Sequence, residues 1–398
     1  MLIVQKYGGS SVADKSRIMN VASRVAEAYK EGNELVVVVS AQGDTTDELL
    51  KAAADINPDA SERELDMIIS TGEQQSAALM AMALNGMGIP AISLNGWQMG
   101  IVTTETYGNA KIDSISAERI KEELSKGKIV IAAGFQGINK YGDITTLGRG
   151  GSDTTAVALA AALNADRCEI YTDVEGVYTA DPRVVNTAEK LDKISYDEML
   201  DFTTMGAKVL HNRSVELAKR YEVPLSVRSS FVKSSGTAVC GEKGKRIVSG
   251  IASDRDTALI TITGLVNKPG AAFGVFKLLA ERGISVDIIL GSGENGGEIA
   301  FTVERKNLKA VTSALKANLK AGTIKWDEGF SKISIIGAGL ETNPGVASEL
   351  FGALAEENIN VEMITTSEIK ISLLINRKDE EKAVRVLHKK FIEKYKAQ

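Results

Sequence analysis

The sequence predicts an α/β fold, a three-layer sandwich around a mainly parallel sheet, followed by two ferredoxin-like units of βαββαβ order. Over residues 1–250, short apolar runs typical of buried strands alternate with amphipathic helical stretches. Beyond residue 250, one pattern of strands and helices occurs twice. We therefore expect one domain over residues 1–250 and two smaller domains over residues 257–328 and 330–398.

The first elements follow from the spacing of apolar residues. Leu2–Gln5 is a short apolar run, and a helical stretch with apolar residues from Ile18 to Tyr29 follows it. Asp14 is placed to cap that helix. Leu35–Val39 is a continuous apolar run, which is typical of a parallel strand buried on both faces.

Further strands and helices complete the predicted sandwich. The pattern Ser61-x-x-Glu64 predicts a capping box that opens one long helix towards Asn85. The remaining predicted elements are strands at Ala91–Leu94, Lys128–Ala133 and Cys168–Thr172, with a helix at Asp153–Leu163.

The C-terminal repeat is visible in two matching pairs of segments. Ile260–Gly264 and Asn267–Gly270 correspond to Ile333–Gly337 and Asn343–Gly345. The implied unit is a split βαβ motif of about 65 residues. The second copy ends before its sixth element, so its sheet is either shorter at one edge or completed by another segment.

Composition narrows the classes of function. The 398 residues carry a net charge of −5 without a basic stripe, so we expect no nucleic-acid partner. Apolar runs such as Ile129–Ala133 fall short of the roughly 20 residues that a membrane helix needs, so we expect no membrane partner. Met1–Val4 lacks the layout of a signal peptide, which favours a cytoplasmic location.

Cysteine and histidine are scarce. Cys168 and Cys240 form no CxxC pair and are expected to be buried free thiols. The only histidines are His211 and His388, and His211 is expected to pack or cap rather than to catalyse. We therefore expect chemistry that does not use an imidazole base.

A first glycine cluster follows the first strand, in the order Lys6-Tyr7-Gly8-Gly9-Ser10. Glycines allow backbone N–H groups to approach a phosphate closely, and a lysine beside them supplies a point charge. The lysine precedes the glycines, so this is not a Walker pattern. Taken alone, the turn fits a purely structural role equally well.

A second cluster stands directly before an Ala-rich helix, in the order Gly148-Arg149-Gly150-Gly151-Ser152-Asp153. Ser152 is placed to cap the helix, and the two glycines free amide groups for an anion. Arg149 suits a carboxylate, and Asp153 could orient a lysine or hold a cation. The alternative is a capped helix with a solvated arginine.

A third stretch, Tyr171–Arg183, leaves a strand and contains aromatic, acidic and basic residues. Such a segment at the carboxyl end of a strand suits a nucleotide base and ribose. It fits a structural hairpin loop as well.

The chain contains, in this order, the stretches KYGGSS, TGE, GRGGSDTTA and YTDVEGVYTADPR. In this combination it resembles the aspartokinases of the amino-acid kinase superfamily. The repeated C-terminal unit resembles their tandem ACT domains, so the resemblance covers essentially the whole chain. It implies an amino-acid-kinase-type sandwich followed by two ACT domains. It also implies ATP-dependent phosphorylation of the β-carboxylate of L-aspartate to 4-phospho-L-aspartate, the first step towards lysine, threonine and methionine, with Mg²⁺ as cofactor.

The resemblance also implies roles for individual residues. Lys6 and Asp153 would be catalytic, Glu73 would bind the α-ammonium group and Arg149 the α-carboxylate. The other substrate contacts would be Ser40, Thr46, Gly150, Gly151 and Ser152. The nucleotide contacts would be Lys6, Tyr7, Gly8, Gly9, Ser10, Thr172, Asp173, Tyr178, Asp181, Arg183 and Lys208. The attacking carboxylate is already ionised at neutral pH, so no general base is needed.

The paired ACT domains imply feedback control by lysine, threonine or both, in a homodimer or larger homo-oligomer. Asp287 or Glu362 would meet the effector's ammonium group, unless the Pro-Gly turns only shape loops. The turns offering amides to its carboxylate are Asn267, Lys268, Pro269, Gly270, Ala271 and Ala272 in one copy, and Asn343, Pro344, Gly345 and Val346 in the other.

Two other functions remain open at the level of sequence. One is a kinase of the same superfamily that acts on another small carboxylate. The other is a catalytically inactive amino-acid sensor, in which the kinase domain serves as a scaffold for the ACT pair. The joint presence of Lys6, Glu73, Arg149, Ser152 and Asp153 argues against the sensor.

Overall fold

The computed structural model describes residues 1–204, 209–242, 246–265, 270–292, 297–319, 322–340 and 342–394. The chain divides into two compact units. The described residues of the first unit are 1–178, 190–204 and 209–242. The second unit contains residues 179–189 and the described residues from 246 onwards.

The first unit alternates strands and helices. Its elements in chain order are β1 Leu2–Tyr7, α1 Lys15–Lys30, β2 Glu34–Val39, α2 Thr45–Ile56, α3 Glu62–Ile69, α4 Thr71–Gly86, β3 Ala91–Leu94, β4 Ile101–Thr103, β5 Ile112–Ile115, α5 Glu118–Ser125, β6 Ile129–Ala133, β7 Gln136–Ile138, β8 Ile144–Thr146, α6 Gly151–Leu163, β9 Arg167–Thr172, β10 Lys193–Ser195, α7 Tyr196–Thr204, α8 Asn212–Tyr221, β11 Leu225–Ser229 and β12 Thr237–Cys240.

An eight-stranded sheet of order β10-β12-β11-β9-β1-β2-β6-β3 forms the centre of this unit. Neighbours from β11 to β3 are parallel, and only the β11–β12 pair is antiparallel. Helices α1 and α4 cover one face of the central strands, and α6 contacts β1, β2 and β9. A smaller sheet has the order β5-β4-β7-β8. The predicted α/β fold with a mainly parallel sheet is confirmed.

The predicted strands and the first helix are present. Asp14 caps α1, because its side chain accepts a hydrogen bond from the N–H of Arg17 at 2.9 Å. All residues of Leu35–Val39 are buried, as expected for a strand covered on both faces.

The prediction of one long helix from Ser61 to Asn85 is wrong, because α3 ends before Ser70 and α4 begins at Thr71. The hydroxyls of Ser70 and Thr71 donate to backbone carbonyls of the preceding turn, at 2.9 and 2.6 Å, and so compete with the helical ladder. The side chain of Ser61 makes no capping bond. Glu64, the other half of the predicted box, pairs with Arg63 instead.

The second unit is built from two further sheets. Its elements are β13 Gly250–Asp254, β14 Thr257–Thr263, α9 Ala271–Ala280, β15 Ile289–Ser292, β16 Glu298–Glu304, α10 Leu308–Asn318, β17 Thr323–Asp327, β18 Phe330–Ile336, α11 Gly345–Glu356, β19 Val361–Thr366, β20 Lys370–Asn376 and α12 Glu380–His388.

Both sheets are four-stranded and antiparallel, with the orders β15-β16-β14-β17 and β13-β18-β20-β19. The first has the predicted βαββαβ order. In the second, β13 pairs with β18 and stands where the sixth element of the repeat would lie. The early end of the repeat is thus compensated by a strand that precedes both copies. The domain boundaries at 250, 257–328 and 330–398 stay a prediction.

Two predictions from composition can be compared with the structure, one about membrane-spanning helices and one about the cysteines. Among the helices that it describes, none has the length and apolar character needed to cross a bilayer. Both cysteines are free thiols, and Cys168 is buried as predicted, but the prediction that Cys240 is buried is wrong, because it is partly exposed.

Candidate active site

Several of the predicted site residues lie at the carboxyl ends of neighbouring parallel strands. Gly8 follows β1, Ser40 follows β2 and Asp173 follows β9, and Gly134, which was not among the predicted residues, follows β6. These four strands are adjacent in the sheet, in the order β9-β1-β2-β6. This edge is where open α/β sheets bind ligands, because loops diverge there and leave a crevice.

A lysine and an aspartate form an ion pair at this edge. The Nζ atom of Lys6, on β1, lies 2.6 Å from Oδ1 of Asp153, in the first turn of α6. The two side chains are only 12% and 11% exposed. A Cβ at Gly8 would lie 3.5 Å from Nζ, so the ammonium group stands beside the first glycine turn. The pair joins the two glycine clusters that the sequence singles out.

The first glycine turn is tightly packed. A Cβ at Gly9 would lie 2.7 Å from the carbonyl oxygen of Ala41, so only glycine fits there without a shift. Gly43 donates its N–H to the carbonyl of Gly9 at 3.1 Å. Tyr7 is fully buried and its ring stacks on Tyr171 at 4.6 Å, so its side chain belongs to the core. A nucleotide role at this position would fall to its backbone.

Glu73 is a buried carboxylate with one unused oxygen. It lies in the first turn of α4 and is 4% exposed. Oε1 accepts a hydrogen bond from the N–H of Ala41 at 3.1 Å, and Oε2 has no hydrogen-bond partner in the part of the chain that the structure describes. Burial raises the pKa of Glu73 to about 7. An ammonium group would satisfy the free oxygen and favour the ionised form.

The second glycine turn leads into α6, and the residue at the N-cap position of this helix differs from the predicted one. Gly150, with φ of 70°, occupies the N-cap position, so the prediction that Ser152 caps the helix is wrong. Ser152 lies inside the first turn, where its Oγ would be 2.8 Å from a Cβ at Gly134. The helix begins at Gly151 because Gly150 adopts a left-handed conformation that glycine tolerates. Arg149 is exposed on this turn.

The remaining predicted substrate contacts lie after β2. Ser40 is half-buried and donates its N–H to the carbonyl of Tyr7 at 3.1 Å. Thr46 is half-buried in the first turn of α2. Their contacts with aspartate stay a prediction.

The predicted nucleotide residues fall into separate groups. In the first unit, Oγ1 of Thr172 donates to Asp173 at 3.0 Å, and Tyr178 is half-buried. In the second unit, Asp181 and Arg183 pair with each other, with 2.7 Å between Oδ2 and Nη2. Lys208 lies outside the described residues. A joint nucleotide role for these residues stays a prediction.

In the first copy of the repeat, Asn267, Lys268 and Pro269 lie outside the described residues. Gly270 occupies the N-cap position of α9 with φ of 94°, so that Ala271 and Ala272 begin that helix.

In the second copy, the side chain of Asn343 donates to the carbonyl of Gly339 at 2.7 Å. Pro344 occupies the N-cap position of α11, which begins at Gly345. The side chain of Val346 is buried in the core.

The two acids proposed for an effector's ammonium group differ in their surroundings. Asp287 is paired with the ammonium group of Lys332, whose side chain is 5% exposed. Glu362 is exposed and lines a cavity of about 370 Å³ together with Glu298. Any cation arriving at Asp287 would compete with Lys332, whereas Glu362 faces open space.

Sequence reasoning missed three residues at this edge. The N–H of Ala41 holds Glu73, Gly134 leaves room for Ser152, and Phe135 has a positive φ of 71°, which is uncommon for a bulky residue. The signal for Gly134 was present, because it directly follows a buried strand as Gly8 does. The conformation of Phe135 and the bond of Ala41 depend on tertiary contacts and leave no local pattern.

Comparisons with known proteins identify the family of this chain. Residues 1–229 match the amino acid kinase family and residues 333–391 match the ACT domain. The aspartokinase of Corynebacterium glutamicum is 48% identical, with 98% of this chain and 96% of that protein covered.

Two solved structures of Escherichia coli aspartokinase III are similar to this chain. Each is 29% identical in sequence, and each match covers 98% of this chain and 99% of the solved chain. One holds aspartate and ADP (R-state, TM-score 0.83) and the other holds lysine and aspartate (T-state, TM-score 0.80). The chain belongs to the amino acid kinase family and, within it, to the aspartokinases.

Proposed function

We infer that this chain is an aspartate kinase, which transfers the γ-phosphoryl group of ATP to the β-carboxylate of L-aspartate and yields 4-phospho-L-aspartate. The inference rests on one observation: the Lys6–Asp153 ion pair and the carboxylate of Glu73 lie at the same edge of the sheet. The Lys6–Asp153 pair stands beside Gly8, and Ala41, which lines the same glycine turn, holds Glu73. Phosphate and amino-acid groups can therefore be bound side by side.

Glu73 suits the α-ammonium group of aspartate. Its free oxygen is buried and has no hydrogen-bond partner among the described residues, so a bound cation would replace lost solvation. Arg149, exposed on the second glycine turn, suits the α-carboxylate, because a guanidinium can hold two oxygens at once. Binding both ends of the amino acid leaves the β-carboxylate free to reach the phosphate.

The phosphoryl transfer requires little covalent help from the protein. The β-carboxylate is ionised at neutral pH, so it attacks without losing a proton. The obstacle is the repulsion between this anion and the phosphates. Lys6 lowers it by placing a positive charge beside the glycine turn, and Asp153 keeps that ammonium group in place.

The chain is suited to Mg²⁺ that arrives with the nucleotide. In the part of the chain that the structure describes, no group of three or more His, Cys, Asp or Glu side chains could hold a metal ion. Mg²⁺ commonly binds through phosphate oxygens and water with few carboxylates, and Asp153 would be its indirect partner here. When bound, the ion supplies positive charge to the phosphate oxygens.

For the second unit we propose that lysine, threonine or both act as feedback inhibitors. Support comes from the ACT match over residues 333–391 and from the similar aspartokinase III structure that holds lysine and aspartate. Glu362 is the better of the two acids for an ammonium group, because Asp287 already has Lys332. We also propose a cytoplasmic homodimer or larger homo-oligomer, whose mass in solution light scattering would measure.

The experiment for the catalytic proposal detects the product itself. The protein is incubated with ATP, Mg²⁺ and aspartate, and hydroxylamine traps the acyl phosphate as a hydroxamate. Aspartate-dependent hydroxamate in amounts equal to ADP is the expected result. A panel with glutamate, N-acetylglutamate and carbamate distinguishes the related kinases. ADP release that depends on one of these instead of aspartate would contradict the proposal.

A further inference from the structure

We propose that His211 is a positioning residue for aspartate, because its ring packs against Gly150 and so fixes the turn that presents Arg149. This inference rests on the proposed function, since it assigns a role at the aspartate site. His211 itself occupies the N-cap position of α8, but its side chain makes no capping hydrogen bond. Its ring is therefore available for a contact elsewhere.

That contact is with the second glycine turn. A Cβ at Gly150 would lie 2.6 Å from Cδ2 of His211 and would also overlap Cγ and Cβ of that side chain. The ring thus occupies the space that any other residue at position 150 would need for its side chain. Because Gly150 is both the N-cap of α6 and the neighbour of Arg149, a shift of this residue would move the guanidinium.

The backbone of His211 is itself fixed. Its carbonyl oxygen accepts hydrogen bonds from the N–H of Ser214 at 3.0 Å, the N–H of Val215 at 3.3 Å and the hydroxyl of Ser214 at 2.7 Å. Arg213 donates to the carbonyl of Leu147 at 3.0 Å, three residues before Gly150. The start of α8 therefore holds this turn at two points.

The next residue of the turn, Gly151, is also packed. A Cβ at Gly151 would lie 2.7 Å from Cδ2 of Phe135, and Leu147 donates its N–H to the carbonyl of Phe135 at 2.9 Å. With contacts at both Gly150 and Gly151, the turn has little freedom to move when the His211 ring is present. Removal of the ring leaves only the contacts at Gly151.

The electrostatic setting suits an uncharged ring. Burial lowers the pKa of His211, and Arg213 and Arg149 lower it further, while Asp153 and Glu216 oppose them. Nδ1 is buried and has no hydrogen-bond partner among the described residues. A neutral imidazole adds no positive charge near Arg149 and leaves Asp153 to Lys6.

The test is the variant His211→Ala, with Arg220→Ala as control, since Arg220 is exposed on the same helix. Loss of the ring is expected to raise the KM and the calorimetric Kd for aspartate about tenfold, while the KM for ATP stays within about twofold. A general loss of folding would instead change the KM for aspartate and the KM for ATP together. His211→Gln, which keeps part of the volume, is expected to lie between the wild type and alanine.

A double-mutant cycle with Gly150→Ala tests the contact itself. Gly150→Ala alone forces a methyl group against Cβ, Cγ and Cδ2 of His211, whereas Gly150→Ala combined with His211→Ala removes the overlap with the ring and keeps only that with Cβ. We expect the double variant to bind aspartate no more weakly than Gly150→Ala, so the two effects are not additive.

Additive effects, or an aspartate Kd within about twofold of wild type in folded His211→Ala, would overturn the inference. The calorimetric Kd needs no turnover, so this outcome is separate from failure of the hydroxamate assay, which would contradict the proposed function.

Discussion

The two acidic side chains of the candidate site differ in what already neutralises them. Asp153 has the ammonium group of Lys6 at 2.6 Å. Glu73 accepts the backbone N–H of Ala41 and keeps a buried oxygen with no partner among the described residues. Because of this difference, we expect Asp153 to hold the lysine and Glu73 to bind a cation that comes with the substrate.

We expect Glu73 to make aspartate binding dependent on pH. Its pKa is raised from the usual value to about 7 by burial, so the carboxyl is protonated below that pH and loses its attraction for an ammonium group. We expect kcat/KM for aspartate to fall about tenfold per pH unit below the pKa, because this ratio reports the free enzyme.

The matched variant is Glu73→Gln, which keeps the shape and removes the ionisation. It is expected to raise the KM for aspartate at neutral pH and to abolish the break in the profile. Initial rates over a pH series give both results. A break near the same pH that survives in Glu73→Gln would assign it to another group.

Lys6 and Asp153 are expected to affect the chemical step. Lys6→Ala removes the positive charge that we propose to act on the phosphates, and it should lower kcat by about 10²–10³-fold. Asp153→Asn keeps Lys6 but removes the charge that pairs with its ammonium group, so we expect a smaller decrease in kcat.

Single-turnover rates at saturating substrates measure this effect, and Lys15→Ala, exposed on α1, is the control. Near wild-type kcat in Lys6→Ala would contradict both the role of Lys6 and the kinase mechanism built on it.

Elements with strong local patterns could be predicted from the sequence. The continuous apolar runs of β2 and β6 indicated buried parallel strands, and Asp14 marked the start of α1. The site could be predicted to the extent that glycine clusters follow such strands. The interruption between α3 and α4 could not, because it depends on which carbonyls the hydroxyls of Ser70 and Thr71 reach.

The pairing of strand β13 could not be predicted from the sequence either. It pairs with β18, which lies more than seventy residues further along the chain, and no local signal specifies that partner. Ile251 on β13 is 2% exposed and belongs to the same apolar core as Leu350 and Phe391. The strand is therefore part of the second sheet by packing as well as by hydrogen bonds.

Ile251→Ala is expected to lower the free energy of unfolding by about 2–5 kcal/mol, because it leaves a cavity in that core. Urea denaturation followed by circular dichroism measures the change. Ile56→Ala makes the same substitution at a side chain that is 88% exposed and should change stability by less than about 0.5 kcal/mol. Equal effects of the two variants would show that β13 adds little to the core.

The division of the chain into units differs from the simple order of its sequence patterns. Residues 179–189 belong to the second unit, where Ala180 and Val185 lie in its core and Oγ1 of Thr179 is 2.9 Å from Nε2 of His388. The stretch that resembles a nucleotide segment therefore contributes to both units. Such membership is decided by contacts with residues two hundred positions away, which local patterns cannot indicate.

The effector proposal predicts a specific loss of regulation. Glu362→Gln should weaken inhibition by lysine or threonine about tenfold, because an ammonium group loses an ionic partner. Asp287→Asn should have the smaller effect, since Lys332 already neutralises that carboxylate.

Initial rates with each amino acid alone and with both together measure this, and the rate without effector should stay unchanged in both variants. Unaltered inhibition in Glu362→Gln would exclude this acid from the effector site.

The most direct test of the account is a crystal structure of the chain with aspartate and a non-hydrolysable ATP analogue bound together. We expect the β-carboxylate within about 3–3.5 Å of the terminal phosphorus, with Lys6 on the phosphates and Glu73 on the α-ammonium group. Aspartate bound away from Glu73, or a terminal phosphate out of reach of Lys6, would contradict it.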